Sequence, residues 1–316
     1  MANRRLIAAI GATGAQGGGL ARAILSDPEG GFAVRAVTRN PDSDAARILK
    51  EQGAEVVAAD LDDVGSLRDA FRDAYGAFCV TNFWEHFSPE KEKAQAANLA
   101  EAAAAEDLSH VIWSTLEDTR RWVPLEDDRM PTLMDHYKVP HFDAKGESDA
   151  RFTEAGVPTT FLLTSFYWDN LIGFGMEPKR TEDGSLAFYL PMGDARLPGI
   201  AAEDIGKCAY GILKEGADYA GETVGIAGAH PTGEEMAAAL TDAFGEPVTY
   251  VAVPFDAFRA MDFPGAADLG NMFQFKADFN DYFLKSRDLE LSKKLNPELM
   301  NFKQWLAVNR DRIPVD

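Results

Sequence analysis

The sequence predicts an α/β fold in which a doubly wound parallel sheet carries a smaller α+β C-terminal lobe. Three observations predict it. Short apolar runs alternate with helical stretches through the first half, and parallel strands require such crossovers. A glycine-rich turn joins the first run to the first helix. The chain has 316 residues, which at roughly 150 residues per domain fits about two domains.

Each element follows from a local pattern. Residues 6–10 form an apolar run stopped by glycine, the pattern of a buried strand. A helix follows over 15–25 and stops at the Ser26-Asp27-Pro28 breaker. Further strands are expected at 32–38, 54–58, 77–81, 110–114 and 159–163, and helices at 44–52, 64–74, 89–105 and 139–155. The right-handed crossover rule then favours a sheet of Rossmann type. Beyond residue 165 the alternation loosens. Helices are expected at 202–214 and 232–244, the second opened by a Thr232-x-x-Glu235 capping box, with a strand at 222–226. Residues 176–190 are rich in Pro, Gly and charge, and 257–283 is dense in Phe and Met with Pro264 as a breaker. Residues 116–139 carry charges and prolines and read as a long surface loop, a candidate movable element. The expected division is a dinucleotide-binding Rossmann domain over 1–165 and a smaller lobe over 166–316, intertwined, with the cofactor cleft between them.

Composition narrows the function. Hydrophobic residues make up 46% and charged residues 26%, an ordinary globular balance. A chain of this size buries roughly three quarters of its unfolded surface and needs no disulfide or metal to fold. Lys plus Arg number 31 and Asp plus Glu 51, for a net charge of −20. That charge argues against direct nucleic-acid binding and against docking on anionic membranes. An anionic cofactor must be held by local backbone dipoles and a few placed cations. The two cysteines, Cys79 and Cys208, lie in apolar stretches and suggest neither a disulfide framework nor a zinc site. The N-terminal apolar run is too short for a secretory leader, and no apolar window of about 18 residues exists, so a cytoplasmic location is expected.

The turn Gly11-Ala12-Thr13-Gly14-Ala15-Gln16-Gly17 lies between the first strand and the first helix. Glycines there allow a tight turn and let a pyrophosphate approach the helix N-terminus, whose unpaired N–H groups and dipole favour negative charge. The second strand ends Thr38-Arg39-Asn40-Pro41, without the acidic residue that bonds the ribose 2′-OH of NAD(H). A guanidinium at Arg39 suits a 2′-phosphate instead, so NADP(H) is preferred over NAD(H). Asp60 closes the third strand, where its carboxylate either meets an adenine amino group or serves an ordinary turn.

These residues resemble the NmrA-like group of atypical short-chain dehydrogenase/reductases. The likeness rests on the glycine turn, Thr38-Arg39-Asn40-Pro41 and Asp60-Leu61. It extends through Val80-Thr81-Asn82-Phe83-Trp84-Glu85, His141-Phe142-Asp143-Ala144-Lys145-Gly146-Glu147, Tyr167-Trp168-Asp169-Asn170 and Phe263-Pro264-Gly265-Ala266. The resemblance runs over nearly the whole chain and is strongest to the redox-sensor group of the family. It implies that Gly11, Thr13, Gly14, Ala15, Gln16 and Gly17 hold the pyrophosphate and Arg39 the 2′-phosphate. Asp60 and Leu61 would flank the adenine, and Thr81, Asn82 and Phe83 would line the cofactor. Lys145 would reach the nicotinamide ribose, and Tyr167, Trp168, Asp169 and Asn170 would close over the nicotinamide end.

The chemistry is less complete. Classical members place a tyrosine four residues before the lysine, and on a helix those two positions share a face. Here that position holds His141, while Tyr137 lies eight residues before Lys145 and beyond Pro140. Ser114 and Thr115 occupy the region of the family's serine. The candidate catalytic residues are therefore Lys145, His141 and Ser114, with His141 either a proton donor or a polar helix-start residue. The aromatic sets Phe83, Trp84 and Phe166, Tyr167, Trp168 either cover the nicotinamide or pack a core. His136, Asp135, His141 and Asp143 lack metal-ligand spacing, and no metal site is expected. Two functions follow. An intact cofactor site beside a missing tyrosine suits an NADP(H)-dependent redox-sensing regulator acting through a protein partner. An aromatic cleft with Lys145, His141 and Ser114 suits an NADPH-dependent reductase of a quinone, enone or carbonyl compound. The oligomeric state stays open, a homodimer included.

Overall fold

The computed structural model describes residues 4–315. Its first half runs β1 (Arg5–Ile10), α1 (Ala15–Ser26), β2 (Phe32–Thr38), α2 (Asp44–Glu51), β3 (Glu55–Ala58), α3 (Val64–Phe71), β4 (Gly76–Cys79), α4 (Pro89–Ala105), β5 (His110–Thr115), α5 (Pro140–Glu154) and β6 (Thr159–Leu163). The second half continues with β7 (Phe166–Tyr167), α6 (Asn170–Gly173), β8 (Lys179–Arg180), β9 (Leu186–Leu190), β10 (Gly199–Ile200), α7 (Ala202–Glu215), β11 (Thr223–Gly225) and α8 (Gly233–Phe244). It closes with β12 (Val248–Ala252), α9 (Phe255–Arg259), α10 (Ala266–Asp278), α11 (Asn280–Lys285), α12 (Leu289–Leu295) and α13 (Phe302–Asn309).

Seven parallel strands form the central sheet in the order β11-β6-β5-β4-β1-β2-β3. This is the α/β Rossmann-type sheet that the alternation predicts. The side chains of β1 show why both faces are covered. Ile7 and Ala9 enter a core with Leu20 of α1 and Ile205 of α7, whereas Ala8 and Ile10 enter a second core with Leu67 of α3 and Leu99 of α4. The strand period of two sends alternate residues to opposite helical layers. Strand order reverses at β1, which lies between β4 and β2. Ligands in such folds bind beyond the carboxyl ends of the strands at that switch point.

Residues 166–315 contribute to both parts of the molecule. Strand β11 and helix α7 join the Rossmann layers, and α7 packs along α1. The remaining elements build a lobe around a three-stranded sheet of order β12-β9-β8 and a third core that includes Phe188, Leu240, Phe273 and Trp305. Two of its strands lie inside the Pro- and Gly-rich stretch 176–190. The Thr232–Glu235 capping box forms, with Glu235 N–H donating to Thr232 Oγ1 at 3.1 Å and Thr232 N–H to Glu235 Oε2 at 3.0 Å.

The segment 116–139 is a long loop, as expected, exposed along its middle at residues such as Leu125, Glu126, Pro131 and Asp135, but its ends are buried at Glu117, Thr119, Val123, Tyr137, Lys138 and Val139, as is Met130. Its backbone finds partners inside the fold. Asn271 Nδ2 donates to the carbonyls of Pro131 and Lys138, at 2.9 and 2.6 Å, and Gln274 Nε2 donates to that of Arg129 at 2.7 Å. Asp143 accepts from the N–H groups of Thr119, Lys138 and Val139. Backbone groups satisfied by buried side chains allow the ends of the loop to be buried.

Candidate active site

The site lies past the carboxyl ends of β1, β4, β5 and β6. Gly11 takes a positive φ of 64°, the left-handed turn that glycine adopts without strain. A Cβ at Gly17 would overlap the Ile10 carbonyl, so only glycine lets α1 lie this close to β1. The N-cap Gly14 carries no capping side chain, and Thr13, Gly14 and Ala15 are exposed. The first-turn N–H groups of α1 are therefore open to an anion, and the cradle fits a pyrophosphate.

Gln16 reaches from that turn across the sheet. Its Oε1 accepts from Ser114 Oγ at 2.7 Å, and its Nε2 donates to Tyr167 Oη at 2.6 Å. The structure thus brings Gln16, Ser114 and Tyr167 together. Burial pushes the Tyr167 hydroxyl up to about 12, so it keeps its proton near neutrality.

Lys145 and Thr81 also meet. Lys145 Nζ donates to Thr81 Oγ1 at 2.7 Å and to its carbonyl at 3.3 Å, above the Trp113 ring. It pairs with Glu92 Oε1 at 2.9 Å. Glu92 is fully buried, and its other oxygen faces His86 Nε2 at 3.4 Å. Sequence reasoning missed Glu92, whose only signal is a carboxylate on the buried face of an Ala-rich helix. One turn beyond Lys145, Asp149 accepts from Thr115 Oγ1 at 2.6 Å and Trp113 Nε1 at 2.9 Å. Burial pushes its carboxyl up to about 7.

His141 sits one turn before Lys145 on α5. Its Nδ1 lies 2.6 Å from Asp268 Oδ1, and its backbone N–H donates to Asp268 Oδ2 at 3.2 Å. Asp268 comes from α10 and caps α5, which has no capping side chain of its own. The imidazole packs against Trp84 and Phe83, with ring centroids 4.7 and 5.9 Å away. Tyr137, the alternative phenol, is taken up elsewhere by Lys93 at 3.0 Å and Glu90 at 3.3 Å.

The other expected residues are placed as follows. Phe83 is buried and Asn82 exposed at the start of the turn Phe83–Glu85. Asp60 is exposed, and its Oδ1 accepts the Asp62 N–H at 2.9 Å, while Leu61 is half-buried. Arg39 lies at the end of β2 as expected but is ion-paired with Glu85. Asp169 accepts the Ala202 N–H at 2.8 Å at the start of α7, and Asn170 opens α6. Trp168 is a correction: its indole is buried against Phe302 and Trp305 in the second lobe, not over the cofactor end. The chain turns directly after β7, carrying the Trp168 ring into the second lobe while Tyr167 meets Gln16. Among the described residues no group of three or more His, Cys, Asp or Glu side chains is placed to hold a metal, and no helix is long and apolar enough to cross a membrane.

A glycine cradle at the switch point of a parallel sheet, beside a lysine and a histidine on one helix face, defines a protein of the Rossmann-type fold. The NmrA-like family model matches residues 3–306, and the chain belongs to that family. The chain is 27% identical to the NmrA-like family domain-containing oxidoreductase lnbB of Aspergillus flavus, over 98% of each chain. It is 30% identical to the NmrA-like family domain-containing oxidoreductase FrzB of Cladobotryum sp, over 85% of this chain and 83% of the relative. Among solved structures it shares its fold with NmrA, a negative transcriptional regulator, in complexes with NADP and with NAD. Both give a TM-score of 0.78 over 97% of this chain and 95% of theirs, at 22% and 21% identity. The Citrobacter sp. triphenylmethane reductase complexed with NADP(H) follows at a TM-score of 0.73 and 19% identity, over 96% and 99% of the two chains.

Proposed function

We propose that this protein is an NADPH-dependent reductase of a carbonyl, enone or quinone compound, with His141 as the proton donor. The observation that carries the reading is the His141–Asp268 pair one helical turn from Lys145. A nicotinamide dinucleotide supplies the hydride when bound. Gly11 to Gly17 would hold the pyrophosphate, and Lys145, fixed by Thr81 and Glu92, would orient the ribose. Asp268 accepts the Nδ1 proton of His141, so only the imidazolium form carries a proton on Nε2, and that is the proton delivered to substrate oxygen, leaving the neutral Nδ1–H imidazole. Tyr167 accepts from Gln16 Nε2 and orients that side chain. Named oxidoreductases among the relatives support the same reading. The test is NADPH oxidation by the purified protein across a panel of quinones, enones and aldehydes. Turnover that collapses in His141→Phe with NADPH affinity retained supports it, and no turnover with any acceptor overturns it.

A second reading, an NADP(H) redox sensor acting through a protein partner, is favoured by one observation. Trp84 and Phe87 are exposed aromatic residues flanking the segment whose Glu85 engages Arg39. A sensor requires that NADPH and NADP+ favour different arrangements of that surface. Hydrogen exchange that is identical at residues 83–87 with either nucleotide overturns this second reading.

A further inference from the structure

Arg39 is not a free cation. Its guanidinium touches the Glu85 carboxylate, from an element 46 residues later in the chain. Glu85 closes the turn Phe83–Glu85, where its N–H donates to the Asn82 carbonyl at 3.2 Å. The turn therefore places Glu85 within reach of the end of β2, where its carboxylate meets Arg39. The Asp60 and Asp62 charges also act on Arg39, and together with Glu85 they push its proton affinity up. The nearby Lys91 is engaged by Asp62 at 2.9 Å. A 2′-phosphate brought to Arg39 would meet three carboxylates around two cations that are already paired. Side-chain exposures of 64% for Arg39 and 46% for Glu85 leave the pair open to a ligand.

We infer that Glu85 is a specificity-determining residue that competes with the 2′-phosphate of NADP(H) for Arg39 and accepts the ribose 2′-OH of NAD(H). The inference rests on the dinucleotide reading above. NAD-binding sheets usually carry that acidic residue at the end of the second strand. Here the strand end supplies the cation and the turn after β4 supplies the acid. The two side chains act as one selector: Arg39 favours the phosphorylated ribose, Glu85 favours the free hydroxyl, and the protein accepts both nucleotides with a small preference. An exposed ion pair is weak and opens readily, so the 2′-phosphate can displace Glu85 at modest cost.

Calorimetric titration of the full chain with NADPH, NADP+, NADH and NAD+ tests this, in wild type, Glu85→Gln and Arg39→Ala. Adenosine 2′,5′-bisphosphate and AMP are titrated in parallel to isolate the 2′-position. Glu85→Gln is expected to shift the NADPH-to-NADH affinity ratio about fivefold toward NADPH, with the same shift in the bisphosphate-to-AMP ratio. Arg39→Ala is expected to shift both ratios the other way. Nucleotide binding with ratios unchanged in Glu85→Gln overturns the role of Glu85 and leaves the dinucleotide site standing. Absence of binding by any dinucleotide to the wild type overturns both. Glu85 is exposed and Gln is isosteric, so a circular-dichroism melt matching wild type confirms that the variant is folded.

Discussion

His141 Nδ1 and Asp268 Oδ1 lie 2.6 Å apart across 127 residues of sequence. One side chain starts a helix of the Rossmann layer, and the other comes from the second lobe. A carboxylate on Nδ1 fixes which imidazole nitrogen remains for substrate. It also caps a helix N-terminus, so Asp268 has a structural role as well as an orienting one.

That double role separates two variants. His141→Phe is expected to lower kcat by about a hundredfold or more, the scale of a lost general acid, with NADPH affinity retained. Asp268→Asn keeps the cap but presents an amide that either donates or accepts, so the imidazole loses its fixed orientation. Its kcat is expected to fall by about tenfold with KM for NADPH unchanged, as read by steady-state kinetics. An unaltered kcat in Asp268→Asn refutes the orienting role.

The second lobe is anchored by a buried ion pair. Arg287 engages Glu117, with Nη2 at 3.0 Å from Oε2, and donates to the Thr164 carbonyl from Nε and Nη2. Both side chains are buried. Removing one partner leaves an uncompensated charge, which typically costs about 3–5 kcal/mol. Glu117→Gln is expected to lower unfolding stability by that order in denaturant titration, whereas the exposed Lys303–Asp242 pair is expected to contribute less than about 1 kcal/mol.

Asp149 predicts a pH dependence. Burial pushes its carboxyl from the ordinary 3.8 up to about 7. The folded chain thus holds this proton more tightly than the unfolded chain. Its contribution to stability is greatest below about pH 4 and is lost as pH rises toward 7. Asp149→Asn retains an acceptor for Thr115 and Trp113 without the buried charge. It is expected to be more stable than wild type at pH 8 by about 1–3 kcal/mol, with the difference shrinking toward pH 4. Thermal melts at the two pH values check the sign.

Gly17→Ala is expected to impair two things at once. The new Cβ would press on the Ile10 carbonyl, so α1 must move away from β1 and the anion cradle must open. A loss of stability of about 1–3 kcal/mol, together with weakened dinucleotide binding by calorimetry, is the expected outcome. Gly14→Ala, whose Cβ would meet only the Gly11 carbonyl at 3.3 Å, is expected to be milder.

The fold was largely legible because its signals are local. Each apolar run of the first half is one strand, and the turn glycines need only their neighbours to explain them. The pairs that define the site are not local. Glu92, Glu85 and Asp268 each meet a partner brought from another element, and no spacing in the sequence encodes those meetings. Trp168 misled because a family motif treats 167–170 as one unit, whereas the chain turns after Tyr167 and carries the Trp168 ring into the second lobe. In the segment 116–139 charge and proline correctly mark an exposed middle, but not the buried ends, where Asp143 accepts from the backbone of Thr119, Lys138 and Val139 and Asn271 donates to the Lys138 carbonyl.

In the proposed reduction, His141 delivers a proton within a dinucleotide-loaded cleft. The most direct test of this step is single-turnover reduction of an active quinone or carbonyl acceptor by NADPH, followed by loss of nicotinamide absorbance, in wild type and His141→Phe. Rapid oxidation in wild type and a rate lower by about a hundredfold in the variant at saturating NADPH are expected. Equal rates in the two proteins would contradict proton delivery by His141.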